Sequence, residues 1–133
     1  MKYAYKLPED VRELCLAHVR GYERRRRELK QKRNTAYQTG RPETGMELLD
    51  QLGKSQDKQS VVAVELSLLQ ASQGIKSKEV RRKLQTGLIL NCSNRKLYPY
   101  ERLHIPGVGK KEFYRRKQDF LVALADCLGY IEV

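Results

Sequence analysis

The sequence predicts an all-α fold of about five helices, and three observations carry that prediction. Apolar residues recur at spacings of three, four and seven rather than in alternation. Residues that start or stop helices bracket these stretches, with Pro8, Ser77 and Pro99 at starts and Gly74 and Gly129 at ends. Of the 133 residues 40% are hydrophobic and 8% aromatic, which suits one folded domain with a modest core.

The first helix is expected over "LPEDVRELCLAHVRGYERRRRELKQKR", with Pro8 near its first position and Glu9 and Asp10 in its first turn. Leu7, Val11, Leu14, Cys15, His18, Tyr22 and Leu29 form one apolar stripe, which also offers a surface for a homodimer. A lone histidine on such a stripe reads as a core or interface residue. Beyond Tyr22, Arg25 and Arg26 invade the stripe, so the helix is expected to run past the core. Arg24, Arg25, Arg26 and Arg27 then read as a protruding basic arm (20–33) for phosphates or an acidic partner, or as a salt-bridged exposed helix.

Residues 34–45 hold two Gly and a Pro and read as a loop, followed by a short helix around "MELLDQL" and a second loop at "GKSQDKQS". In "SVVAVELSLLQAS" (60–72), Val61/Val64/Leu68 and Val62/Leu66/Leu69 suit a buried helix, while the β-branched valines keep a strand open. Glu65, near the middle of that apolar arc, reads as the partner of an arginine. Ser77 is the expected N-cap of "KEVRRKLQTGLILNCSN", in which Val80, Leu84, Leu88 and Asn91 share a side and Arg81, Arg82 and Lys83 fan outward. Pro99 fits the first position of a short helix reaching about His104, and "IPGVG" (105–109) is turn chemistry.

The last helix is expected from Gly109 to Leu128. Phe113, Lys117, Phe120, Leu121, Leu124, Cys127 and Leu128 share one side of the helical wheel. Lys111, Tyr114, Arg115 and Gln118 share the opposite side, with Lys110 and Arg116 at its flanks. Such a helix presents basic and aromatic residues on its first turns and anchors its last turns in a core. A recognition helix has the same requirement, and the short helix and turn before it complete a helix-turn-helix. Arginine can hold guanine O6/N7 with both fork nitrogens, glutamine can do the same for adenine, and lysine and tyrosine add phosphate bonds.

The charge distribution agrees with a polyanionic partner. Twenty-seven Lys/Arg against sixteen Asp/Glu give +11, and two blocks supply the whole excess: +6 over residues 20–33 and +10 over 76–117. The chain therefore divides into an N-terminal helical part (1–75) and a DNA-binding part (76–133). "YPYERLHIPGVGKKEFYRRKQDFLVALADCLG" resembles the C-terminal half of phage transcriptional regulators of the RinA/ArpU type, small basic helical proteins that are similar to sigma-factor region 4. Phe113, Tyr114, Arg115, Arg116, Leu121, Leu124, Ala125, Leu128 and Gly129 match that pattern, and Pro106–Gly107 lengthens its turn. The resemblance implies a regulator of phage or prophage late genes, with Lys111, Tyr114, Arg115 and Gln118 nearest the bases; RNA polymerase is an example of an acidic protein that the basic arm would bind.

Other classes find less support. There is no Gly-rich phosphate loop, HExxH, GxSxG or acid cluster, so neither an enzyme nor a cofactor is expected. Cys15, Cys92 and Cys127 have no metal-binding spacing and read as reduced, buried thiols. No apolar run nears the roughly 18–20 residues of a membrane span, and no signal peptide is evident, which predicts a cytoplasmic, nucleoid-associated protein. Two alternative functions remain: a DNA-packaging oligomer of the small-terminase kind, and a helical adaptor whose basic arm binds an acidic protein.

Overall fold

The computed structural model describes residues 6–132. Among these are seven helices and no strand: α1 (Glu9–Arg20), α2 (Tyr22–Tyr37), α3 (Pro42–Gly53), α4 (Gln56–Ala71), α5 (Lys78–Ser93), α6 (Tyr100–Leu103) and α7 (Lys110–Cys127). The all-α expectation holds. The count exceeds five, and one of the added helices arises because the first helix divides at Gly21.

At that division Arg25 folds back, and its Nη1 donates to the His18 carbonyl at 3.1 Å. The guanidinium fills the space beside Gly21 where a Cβ would otherwise lie. The buried face of α1 is also rotated from the expected stripe. Cys15, Leu16 and Val19 are buried, whereas Leu14 is exposed. The surface expected to serve a homodimer is thus largely spent inside the subunit.

The expected protruding arm is instead a packed helix. α2 lies against α3 and α4 and buries Leu29 and Ala36. The expected loop at 34–45 shrinks to four residues, because α2 continues to Tyr37 and Pro42 starts α3. Gly45 makes this hairpin close: a Cβ there would stand 2.6 Å from the Ala36 carbonyl oxygen. Residues 60–71 are helix rather than strand, in an α4 that begins at Gln56 inside the expected second loop, where Ser55 caps it by accepting from Lys58 N at 3.2 Å. Ser77 caps α5 as expected, accepting from Val80 N at 3.3 Å.

The core is built around α7, whose most extensive packing is on α4. Ala63, Ser67 and Ala71 are small, buried α4 residues that leave room for Phe120, Leu121 and Leu124, all fully buried on α7. α1 packs against α5 and α7, so helices from both halves of the chain share one core. α7 ends with Gly129 at φ +78°; Tyr130 N donates to Ala125 O at 2.9 Å and Gly129 N to Asp126 O at 3.1 Å. Cys15 and Cys92 are buried thiols, each pushed up to about 11 mainly by burial, but Cys127 is exposed against expectation. It lies on the last turn of α7, where the core thins out.

His18 joins three elements from a half-buried position. Its Nδ1 is 2.6 Å from Ser60 Oγ on α4, and its Nε2 is 2.9 Å from Tyr130 Oη. Arg25 Nη1 also donates to Ser60 Oγ at 3.5 Å, so the hydroxyl ties α2 to the same cluster. Glu65 on α4 accepts from the Tyr22 hydroxyl at 3.0 Å, where an arginine partner was expected.

Two measurements test this arrangement. Leu124→Ala removes a fully buried side chain and should cost roughly 2–5 kcal/mol in urea denaturation. Burial, and secondarily Arg25, lowers the pKa of His18, so the unfolded chain takes up its proton more readily than the folded one. Stability should hold above the ordinary histidine pKa of about 6.5 and fall as pH drops below it toward the lower folded value. Melting temperatures across that range should show the fall, and His18→Gln should flatten it.

Candidate nucleic-acid interface

The first turns of α7 are positioned by the segment that precedes them. Asn91, buried on α5, donates from Nδ2 to the Tyr98 carbonyl at 2.9 Å, and Arg102 Nη1 donates to the Leu97 carbonyl at 3.0 Å. Tyr100 donates its hydroxyl to the Val108 carbonyl and packs its ring 5.6 Å from that of Phe113. Ile105 and Val108 bury the turn's apolar side chains, while Gly107 supplies its positive φ. Close contact with α5 at Gly87, where a Cβ would lie 3.1 Å from Ile105 Cδ1, fixes the turn against the core. The segment from α6 to α7 is therefore held at both ends.

On α7 the two faces separate as expected. Phe113, Lys117, Phe120, Leu121 and Leu124 are buried, and Lys111 and Arg115 are exposed. Tyr114 and Gln118 are half-buried between them. Tyr114 packs edge-on against Phe113 at 5.3 Å, and Arg95 places its guanidinium 5.5 Å from the Tyr114 ring centre. Arg95 is thereby added to this surface, on a contact between separate elements that has no local sequence signature. Lys110 pairs with Glu101 of α6 at 2.8 Å, and this bond raises the pKa of Lys110 and lowers that of Glu101. Both side chains are exposed, so the pair orients Lys110 more than it stabilises the fold.

Arg116 lies elsewhere than its flanking position suggests. Its Nη1 donates to the carbonyls of Ala71 at 2.9 Å and Gln73 at 3.0 Å, closing the C-terminal end of α4. Its side chain is only 13% exposed, which makes it a clamp between helices rather than a surface cation. Glu112 stands between the neighbouring arginines, 3.8 Å from Arg115 and 3.7 Å from Arg116. Lys117 points inward. Burial lowers its pKa; Cys92 opposes this, while Arg12 and Arg95 add to it. The signal for this lysine was its place between Phe113 and Phe120 on the apolar side.

The four arginines of α2 are not brought to this face as a group. Arg24 pairs with Glu28 at 3.5 Å on the exposed side of its own helix, and Arg25 is turned into the Gly21 break with Asp57 at 3.8 Å. Arg26 and Arg27 border a cleft between α2, α3 and α4. A second hollow, of about 500 Å³, joins the end of α4 to the start of α5 and is lined by Lys78, Arg81 and Arg82. It adjoins Gln73, which Arg116 ties to α7.

Among the described residues no group of three or more His, Cys, Asp or Glu side chains is placed to hold a metal ion. No helix among them is long and apolar enough to cross a membrane. Compared with known proteins, the chain matches no family model, no curated sequence and no solved structure.

Adjacent arginines on α7 should respond oppositely to truncation. Arg116→Ala deletes two charge-assisted bonds to the Ala71 and Gln73 carbonyls and should lower unfolding free energy by about 1.5–3 kcal/mol. Arg115→Ala, at an exposed position, should stay within about 0.5 kcal/mol of the parent in the same denaturant titration.

Proposed function

We propose that this chain is a sequence-specific double-stranded DNA-binding regulator of transcription that reads the major groove with the first turns of α7. The observation that carries this reading is the division of that one helix. Its inner face is locked by Phe113, Phe120, Leu121 and Leu124, while Lys111 and Arg115 stand outward near its N-terminal end. A reading helix needs such an anchor, because base discrimination depends on holding donor atoms at fixed positions.

In this reading α6, the 105–109 turn and α7 act as a helix-turn-helix. Arg115 reads a base edge, Tyr114 and Gln118 lie beside it, and Lys110, Lys111 and Arg95 meet phosphates. Lys78, Arg81 and Arg82 extend the positive surface past the end of α4. The resemblance of residues 94–133 to phage regulators of the RinA/ArpU type supports late phage or prophage genes as the target. Such a regulator would act in the host cytoplasm beside RNA polymerase.

The test is a binding-site selection run in parallel on the parent chain and Arg115→Ala. The substitution should cost about 1–3 kcal/mol on the preferred site and relax preference at one or two base pairs. Lys111→Ala should weaken all sequences alike and flatten the salt dependence by about 0.9 in log–log slope. If Arg115→Ala weakens every sequence equally, the arginine is a phosphate contact and the reading face lies elsewhere.

A further inference from the structure

The cleft between α2, α3 and α4 has a volume of about 560 Å³, and none of its lining residues belongs to α7. Its rim carries Arg26, Arg27, Lys30 and Arg33 from α2 and Lys58 from α4. A single carboxylate, Glu65, lines it with them, and that group already accepts from Tyr22. Arg26 also reaches Glu23 at 3.3 Å, but both side chains are more than half exposed, at 58% and 55%, so water screens that pair. Five cations held around an open space repel one another, and an anionic partner relieves that repulsion.

The floor is apolar. Half-buried Leu49 and Leu52 of α3 face the cleft, with Leu29 and Val61 deeper. The floor stays open because α3 packs chiefly on α2 and leaves its far side uncovered. A nucleic-acid backbone would use the cations but gain nothing from leucines beneath them. A helix with apolar anchors three and four residues apart, flanked by Asp and Glu, would use both.

We infer that the α2–α3–α4 cleft is a docking groove for an acidic amphipathic helix of a protein partner. The anchors seat on Leu49 and Leu52, and the acidic flanks meet Lys30 and Arg33 on one side and Lys58 on the other. This inference does not rest on the DNA reading.

The experiment uses fluorescence anisotropy of the full chain with two labelled synthetic peptides of about four helical turns. One carries leucines at helical spacing among glutamates, and its twin has serine at those leucine positions. The leucine peptide should bind with micromolar affinity and the serine twin about tenfold more weakly. Lys30→Glu/Arg33→Glu, both exposed positions, should weaken the leucine peptide about tenfold with an unchanged circular dichroism spectrum and melting temperature. A matched reversal, Lys111→Glu/Arg115→Glu, should leave peptide affinity within about twofold while removing duplex DNA binding. Equal binding of both peptides, or an undiminished Lys30→Glu/Arg33→Glu chain, overturns the groove. So does an equal loss of duplex DNA binding in that variant, which would assign the cleft to nucleic acid. Loss of DNA binding in neither variant would overturn the DNA reading alone.

Discussion

The packing of α7 on α4 is the contact on which the other helices depend. Small residues along α4 admit the large side chains of α7, and Arg116 reaches across to close the end of α4 with two carbonyl bonds. A helix C-terminus leaves carbonyls without intrahelical partners, and Arg116 Nη1 takes the last of α4, Ala71 O, together with Gln73 O just beyond it. Without that closure the 72–77 connection would lose its tie to α7, and with it the start of α5. Gln85 of α5 adds a second tie to the same place by donating to Ser72 Oγ at 2.9 Å.

This arrangement sorts the cations of α7 by task. Lys117 and Arg116 are committed inward, Lys110 is tied to α6, and Lys111 and Arg115 stand outward. A basic run that looks uniform in sequence is thus divided between holding the helix and meeting a partner. Glu112 lies within ion-pair range of both Arg115 and Arg116, one carboxylate oxygen toward each. The 94–109 segment adds rigidity through backbone carbonyls, which Asn91, Arg102 and Tyr100 each engage.

Local signals in the sequence were sufficient for the caps at Ser77 and Gly129 and for the two faces of the first turns of α7. Ser77, Gly129 and the 105–109 turn act through bonds to near neighbours in the chain, so composition and spacing carry them. The long cationic side chains were not legible in this way. A wheel gives the direction of a Cβ, but Arg25 bends back over Gly21 and Arg116 reaches residues 45 and 43 positions away. α2 looked like an unpacked arm because its apolar face is thin. Leu29 and Ala36 suffice only because Gly45 lets α3 approach closely enough to cover them. The partner of Glu65 was missed for a related reason: the nearest donor was a phenol placed by the division at Gly21, not one of the many arginines.

The two basic blocks acquire different physical characters once folded. The α7 block sits over a rigid core and presents few, well-held cations, as base discrimination requires. The α2 block surrounds an apolar-floored cleft with exposed cations, which matches the two faces of an acidic amphipathic helix. On the proposed readings, one face selects a DNA sequence and the other holds a protein to it. The fold suits that pairing because both faces are built on α4: α7 packs along it from one direction, and α2 packs along it from another. A partner seated against α2 and α3 would then be held at a fixed position relative to the DNA-reading helix, with α4 as the common beam.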